Sequence, residues 1–445
     1  YPEETSAAMS PAEIDIILKP DPRTVRRVPW AAEPTAQVIH DCYYADGRRV
    51  KMAPREVLRH VLDLYAARGW EPVVAPELEF YLVEPNVDAD YPLKPPVGRS
   101  GRAEPGRPAP RRLRLSRDQG PRRRGPRIAD HEPDNAKRIA AVCLPHDYLS
   151  WTLTGSDKLS GIFTDRSDAS GTGYFDSRNN IYREDFLKIA LRGHEVQVPK
   201  VLKPSEFGGE FRGIPIAPGA GDNAGAALGV GAEPGDVVVS LGTSGTAFAV
   251  SETSTHDATG SVAGFADATG RFLPLVCTLN AARILDAACK LLKVSHDELA
   301  NLALSASAGA NGLTLLPYFE GERTPNRPNA RGTLHGLSLN NSDPANIARA
   351  YIEGMLCGLA DAVFSLEKLD VAVNRILLVG GAAKNPAVPE IASSIFGRKV
   401  IVPPPGEYVA NGAARQAAWA LTGQLPNWLI GDTQVIESKH FPEVF

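Results

Sequence analysis

At 445 residues the chain is long enough for two or three domains. Its 43% hydrophobic and 22% charged content with a net charge of −4 is an ordinary globular balance, and it argues against a nucleic-acid binder as a whole. No apolar stretch is long enough to span a membrane and no signal-peptide pattern is present. Cys42, Cys143, Cys277, Cys289 and Cys357 are scattered without metal-ligand spacing, so reduced thiols in a cytoplasmic protein are expected. The first residue is Tyr1 rather than Met, which makes a fragment the expectation.

Taken in order, PREVLRHVLDLYAARGW carries apolar residues at Val57, Val61, Leu62, Leu64 and Tyr65, a helical spacing that stops near Gly69. EPVVAPELEFYLVEP reads as a strand with Glu77 and Glu79 on one face and Leu78 and Phe80 on the other. Two carboxylates at that spacing either ligate a hard divalent ion or form the solvent face of a half-buried strand. IILKPDPRTVRRVPWA, PTAQVIHDCYYADG, PELEFYLVEP and PVGRSGR resemble the amino-terminal part of a glutamine synthetase acting on polyamines or related amines. That resemblance implies that Glu77 and Glu79 are metal ligands if this part is functional. The family's further metal, ATP and ammonium residues have no match downstream, so residues 1–103 are expected to be a piece of a partial α+β enzyme.

Residues 102–127 hold ten Arg and five Pro with no Lys and no aromatic residue. Pro breaks regular structure and like charges repel, so a disordered seam is expected over 104–127. A basic nucleic-acid arm, a linker, and GC-rich DNA translated out of frame between two joined genes are the three readings. The last fits an Arg/Pro composition without Lys best, and no nucleic-acid or membrane partner is expected.

From Ile128 the pattern is globular. AKRIAAVCLPHDYLSWTLTG reads as helix around Ile139–Val142 and again near Leu149–Leu153, interrupted at Pro145. TDRSDASGTGY reads as a polar turn cluster, IYREDFLKIAL as a short amphipathic helix, and PSEFGGEFRGIPIAPG as a crossing that ends the domain near Ala217. His146 and His335 read as structural residues.

In residues 219–246, Asp222 sits in a glycine-rich turn, and Val237-Val238-Val239 leads into Gly242-Thr243-Ser244-Gly245-Thr246. The Val run is a strand, and the turn after it offers backbone N–H groups and hydroxyls to an anion. Asp222 is then a general base beside a phosphate loop, or simply an N-cap; GTSGT is a phosphate loop, or simply a hairpin turn. No Walker-type motif is present. Further on, Ser295 with Glu298 predicts a capping box, and Asp343-Pro344 predicts the start of a long core helix through Ile347, Tyr351, Leu356, Leu359 and Val363. RILLVGGAAKNP reads as strand, glycine turn and helix start, and NGAARQAAWAL as a last helix. Arg323 in GERTP is a cleft residue or a loop brace. No signal is read after Gln424, and 431–445 is taken as a tail.

GDNAGAALG, VVVSLGTSGT, PYFEGERTP, GTLHGLSL and LLVGGAAKNP in that order resemble the FGGY family of sugar kinases. TDRSDASGTGYF and ADATGRFLPLVCTLNAARILD are similar to its xylulokinase group in particular. The family's second signature, Gly332 through Leu337 to Glu353, is matched except at Tyr351, where a smaller residue is usual.

The resemblance covers roughly residues 128–430. It implies an α/β fold of actin/RNase H-like domains, the first (128–216) truncated and the second at 217–430. It implies ATP and Mg²⁺ as cofactors and a ketose, D-xylulose, as substrate, with a homodimer as a possible assembly. Asp222 becomes the catalytic base and, with Asn223, a sugar contact. Gly242, Thr243 and Ser244 hold phosphates, and Gly380, Gly381 and Asn385 hold the adenosine side. The family opens with a strand and an Asp-x-Gly-Thr/Ser phosphate loop that have no match before Ile128. Poor or absent xylulose phosphorylation by 1–445 is therefore expected, with an inactive fusion remnant as the alternative.

Overall fold

The structure, a computed structural model, describes residues 16–28, 33–44, 46–51, 53–69, 137–428 and 431–437. They fall into two units, one within residues 1–110 and one within 111–445. Glu77, Glu79 and the 104–127 seam lie outside the described residues.

In the first unit, β1 (Ile17–Pro20) pairs antiparallel with β4 (His40–Tyr43), and β2 (Arg26–Arg27) with β3 (Ala36–Gln37). The helix expected over PREVLRHVLDLYA forms as α1 (Pro54–Ala66), with Pro54 in its first turn, where a missing N–H costs no helical bond. Ion pairs attach it to the strands. Arg55 donates to Asp21 at 3.0 Å and to Asp41 at 2.9 Å, and Arg59 donates to Asp41 at 2.7 Å.

The described part of the second unit opens with a turn at 137–138 followed by non-helical backbone. Ala141 bridges to Gln197, so the helix expected over Ile139–Val142 is absent. Pro145 does not interrupt a helix; it starts α2 (Pro145–Leu153), with Asp147 accepting from the Leu144 N–H at 2.8 Å. The segment read as a turn cluster is instead β5 (Phe163–Thr164) and α3 (Arg166–Ser170). The side chain of Asp165 caps α3 by accepting from the Asp168 N–H at 2.9 Å.

After β6 (Phe175–Asp176), β7 (Ile181–Tyr182), α4 (Glu184–Ala190) and β8 (Lys200–Val201), the Pro/Gly crossing carries a small hairpin. Its strands are β9 (Gly209–Phe211) and β10 (Ile214–Ile216), and both turn residues, Arg212 and Gly213, have positive φ, as this turn type demands.

Next come α5 (Asp222–Gly229), β11 (Asp236–Leu241), β12 (Gly245–Ala249), β13 (Ala263–Ala266) and β14 (Phe272–Thr278). Two helices follow, α6 (Arg283–Leu292) and α7 (His296–Ser305), then the pair β15 (Thr314–Leu316) and β16 (Thr333–His335). The chain continues through α8 (Pro344–Glu367), β17 (Arg375–Val379), α9 (Ala387–Phe396), β18 (Lys399–Val402), α10 (Tyr408–Thr422) and β19 (Gln434–Ile436). Both expected caps form: Ser295 and Glu298 reciprocate at α7, and Asp343 caps α8 with Pro344 behind it.

Among the described residues, seven strands make one mixed sheet in the order β13-β14-β12-β11-β17-β18-β19. The expected tail therefore contains the edge strand β19, antiparallel to β18. β11 is buried on both faces. Val237, Val239 and Leu241 pack with α6, α7, α8 and α9, while Val238 packs with α5 and Phe248 on the other side. The parallel pairing of β11 and β17 is tied at its start, where Arg375 donates to both oxygens of Asp236 at 2.6 and 2.9 Å.

Backbone meets backbone where α5 packs on α10. A methyl at Gly412 would lie 1.8 Å from the Gly225 carbonyl oxygen, and one at Gly229 would lie 1.9 Å from that of Tyr408. No rotamer relieves such a clash, so the helices must part. Gly412→Ala should lower the stability of the chain by about 3 kcal/mol in urea unfolding followed by circular dichroism. A loss under about 0.5 kcal/mol, the range of neutral surface changes, would show that the helices are not packed this closely.

Candidate active site

β11 and β17 are parallel neighbours, with Ser240 opposite Val379, so the turns that follow them emerge side by side. The turn after β11 is Gly242-Thr243-Ser244, with both hydroxyl residues exposed, and it leads back antiparallel into β12. The hairpin and the loop of hydroxyls and amides are thus one object. The carbonyl of Gly242 accepts from the Ala282 N–H at 3.0 Å, which ties the turn to the start of α6.

The turn after β17 is Gly380-Gly381. Gly380 has φ +99°, and a side chain there would meet the Leu241 backbone at 2.7 Å, so only glycine brings the two turns this close. Gly381 is exposed and has open space where a side chain would stand.

Asn385, expected as a polar nucleotide contact, is buried with both ends of its amide engaged. It donates to the His296 carbonyl and accepts from the Ala387 N–H, each at 3.0 Å. It braces the loop and the start of α9.

Asp222 is the first residue of α5, and Gly221 takes the N-cap position. Its exposed carboxylate uses Oδ1 to accept from the Asn223 N–H at 2.7 Å and from the Asn223 side-chain amide at 2.8 Å. Among the described residues no hydrogen bond reaches its other oxygen. A carboxylate in the first turn of a helix is also favoured by the helix dipole. α5 packs on the sheet through Ala224, Ala227 and Leu228, in one cluster with Val238, Phe248 and Val379.

Arg323 is exposed, and its backbone N–H donates to Glu322. The bracing at GERTP falls to Glu322, which is buried and accepts from the Leu279 N–H at 2.6 Å and from Asn280 at 2.9 Å. Tyr351, at the departure from the family signature, is buried with its ring 6.1 Å from that of Phe319.

His146, read from sequence as a structural residue, joins three acids beside the turn that precedes Asp222. His146 Nε2 is 2.9 Å from an oxygen of Asp147 and 3.6 Å from oxygens of Asp165 and Asp168. Asp147 and Asp165 are buried. Burial disfavours the His146 charge, but Asp147, Asp165 and Asp168 outweigh it and push the imidazole up to about 10. Burial, then the like charge of Asp165, pushes Asp168 up to about 7. Burial alone would raise Asp165 as well, yet His146, Ser167 and the Asp168 N–H hold it below the ordinary carboxylate range. The available signal was the two acids at i, i+3 beside an Asp-capped helix start, together with a His-Asp pair.

A proton held up to about pH 10 has a stability consequence. Between the ordinary histidine value of 6.5 and about 10, the folded state binds the proton and the unfolded chain does not, so stability falls as pH rises through that window. The urea midpoint should therefore drop between pH 7 and 9, and His146→Gln should flatten that slope. Equal slopes in the two proteins would show that His146 is not held protonated.

The C-terminal domain of the FGGY family of carbohydrate kinases matches residues 237–421, and the family's N-terminal domain matches 127–229, which includes Asp222. The catalytic domain of glutamine synthetase matches 51–128, a range that runs through the Arg/Pro seam. The xylulose kinase of Streptomyces coelicolor is 41% identical over 308 residues, covering 67% of this chain and 61% of that kinase. The xylulose kinase of Streptomyces rubiginosus is 41% identical over 312 residues, with the same coverage. The crystal structure of xylulose kinase from Bifidobacterium adolescentis superposes with a TM-score of 0.66 at 45% identity, covering 71% of this chain and 69% of that one. The chain thus spans 61% of the length of the two Streptomyces relatives.

Proposed function

Because the chain belongs to the FGGY family of carbohydrate kinases, we propose that residues 127–430 carry the base and the nucleotide side of an ATP-dependent ketose kinase, acting on D-xylulose to form xylulose 5-phosphate. The observation that supports this best is the adjacency of the Gly242–Ser244 and Gly380–Gly381 turns at one end of the sheet on which α5, opened by Asp222, also packs. Ligands of α/β sheets bind at the carboxyl ends of the strands. In this reading Asp222 accepts the proton of the sugar hydroxyl, with Asn223 holding both the carboxylate and the sugar. The hydroxyl oxygen bonds to the γ-phosphorus as the bond to the β–γ bridging oxygen breaks, and ADP leaves.

Gly242, Thr243 and Ser244 hold phosphate oxygens through N–H and O–H donors. Gly380 and Gly381 give the adenosine side room, on a loop that Asn385 keeps in shape. Exposed hydroxyls and the open face of Gly381 suit a nucleoside triphosphate, and the Thr243 and Ser244 hydroxyls are hard oxygen donors compatible with the Mg²⁺ it carries. When bound, Mg²⁺ supplies neutralisation of charge on the phosphates.

Among the described residues no helix is long and apolar enough to cross a membrane, and none of the five cysteines is in a disulfide. These fit our proposal of a cytoplasmic enzyme consuming the ATP pool. A homodimer is compatible with it. Glu77 and Glu79 are proposed as metal ligands only if the glutamine synthetase-like part acts as a ligase in its own right.

The residues ahead of the kinase match resemble a different enzyme, and phosphate contacts from the first domain have no match there. Turnover of xylulose by 1–445 should therefore be slow in a coupled ATP-consumption assay. A rate near 10 s⁻¹, ordinary for enzymes, would overturn this, and no turnover at all would favour the remnant reading. Where turnover is measurable, Asp222→Asn should lower kcat by a factor on the order of 10² to 10⁴. An unchanged kcat would remove Asp222 as the base. Gly381→Val should leave urea unfolding unchanged, since open space surrounds that position, while abolishing the Mg-dependent heat of ATP binding in isothermal titration. Full binding by that variant would place the nucleotide elsewhere.

A further inference from the structure

The turn that carries Asp222 is held from outside the sheet by the α3 segment, and the hold runs through one hydroxyl. Ser167 is buried, and its Oγ accepts from the Gly221 N–H at 2.9 Å. Its single proton is donated to Asp165 Oδ1, the same oxygen that caps α3. The other oxygen of Asp165 faces His146 Nε2. A methyl at Gly221 would come within 3.0 Å of the Asp168 carboxylate, so the acid group lies directly against the residue before Asp222.

α3 and the loop after it are fastened to the edge of the sheet at further points. Ser170 Oγ accepts from the Ala266 N–H at 3.0 Å, Ser177 donates to the Gly264 carbonyl at 2.9 Å, and Arg166 donates to the Arg271 carbonyl. α3 is therefore a fixed platform beside the turn.

We propose that His146, Asp165 and Ser167 form a positioning relay for Asp222, in which the cationic imidazole keeps Asp165 a pure acceptor and so fixes the Ser167 hydroxyl on the Gly221 amide. The proposal rests on the reading of Asp222 as the base. Its physical logic is the direction of one proton. An ionised Asp165 can only accept, so Ser167 must donate to it and turn its lone pairs toward Gly221. A protonated Asp165 would donate to Ser167 instead and compete for those lone pairs. The imidazolium among Asp147, Asp165 and Asp168 prevents this, and Asp168, raised by burial and by Asp165, takes up a proton more readily than Asp165 does.

The ligand atoms of His146, Asp165 and Asp168 lie within 4.8 Å of one another, close enough to surround a cation. A cation would need the lone pair of a neutral imidazole, whereas the three carboxylates favour the proton. The imidazolium stands where a metal would.

The test uses the full chain. In hydrogen exchange, the Gly221 amide should exchange faster by on the order of tenfold in Ser167→Ala and regain protection in Ser167→Thr, with the rest of the sheet unchanged. His146→Gln should give part of the same loss. In the coupled assay, Ser167→Ala should lower kcat by on the order of tenfold with KM for ATP unchanged. Wild-type exchange at Gly221 in both Ser167→Ala and His146→Gln would overturn the relay even if Asp222→Asn abolishes activity. An unchanged kcat in Asp222→Asn would instead remove the base and leave the exchange result standing. Imidazole resonances of His146 should be those of the charged ring at pH 8. A neutral ring there, or Mn²⁺ binding lost in Asp165→Asn, would make this a metal site and overturn the relay.

Discussion

The parallel pairing of β11 with β17 is the constraint on which the site depends. Strands whose side chains are buried on both faces cannot slip by one residue without turning a whole hydrophobic set to the wrong layer. Val237, Val239 and Leu241 on one face and Val238 on the other leave one register, and Asp236 with Arg375 marks its start. Once that register is set, the turns at the far ends must be adjacent, and Gly380 is the one residue type that lets them touch without strain. Two glycine turns distant in sequence become one surface.

The position of Asp222 is set by a different route. Asp222 opens α5, whose position is set by backbone contact with α10 on one side and by Ser167 at its N-terminal turn on the other. The first contact is apolar and steric, with Ala224, Ala227 and Leu228 completing it against the sheet. The second is polar, and it comes from the segment that the N-terminal domain of the FGGY family matches. The residues from 137 to 216 thus do more than precede the sheet. Through α3 they hold the turn that carries Asp222.

Elements with short-range signals were legible in the sequence. The Val run, the Ser295–Glu298 box, Asp343-Pro344 and the Gly380 turn each announce themselves within a few residues, and each forms as expected. Elements defined by a distant partner were not. Gln434–Ile436 is a strand only because Val400, Ile401 and Val402 offer it an edge, and Ala141 is extended because Gln197 lies beside it. The His146 group is of the same kind, since α2 and the start of α3 must fold before the histidine and the three acids meet. Asn385 has a bracing role that its sequence context did not announce. Its place in a glycine turn suggested a ligand contact, but a buried amide must find partners, and the backbone of His296 and Ala387 supplies them.

The chemistry explains why so much of this apparatus is positional. In phosphoryl transfer there is little covalent work for a protein to do, and the effect comes from holding nucleophile and phosphate in line while charge is stabilised. A carboxylate such as Asp222 adds a proton acceptor, and its value depends on where its free oxygen points. Asn223 fixes one oxygen, the α5–α10 contact fixes the helix, and Ser167 fixes the amide just before it. Misplacement of a reacting group by about 1 Å costs on the order of a hundredfold in rate. By that measure, the proposed reaction depends on the glycine contacts and the proposed relay as much as on Asp222 itself, although none of them would touch the sugar or the phosphate.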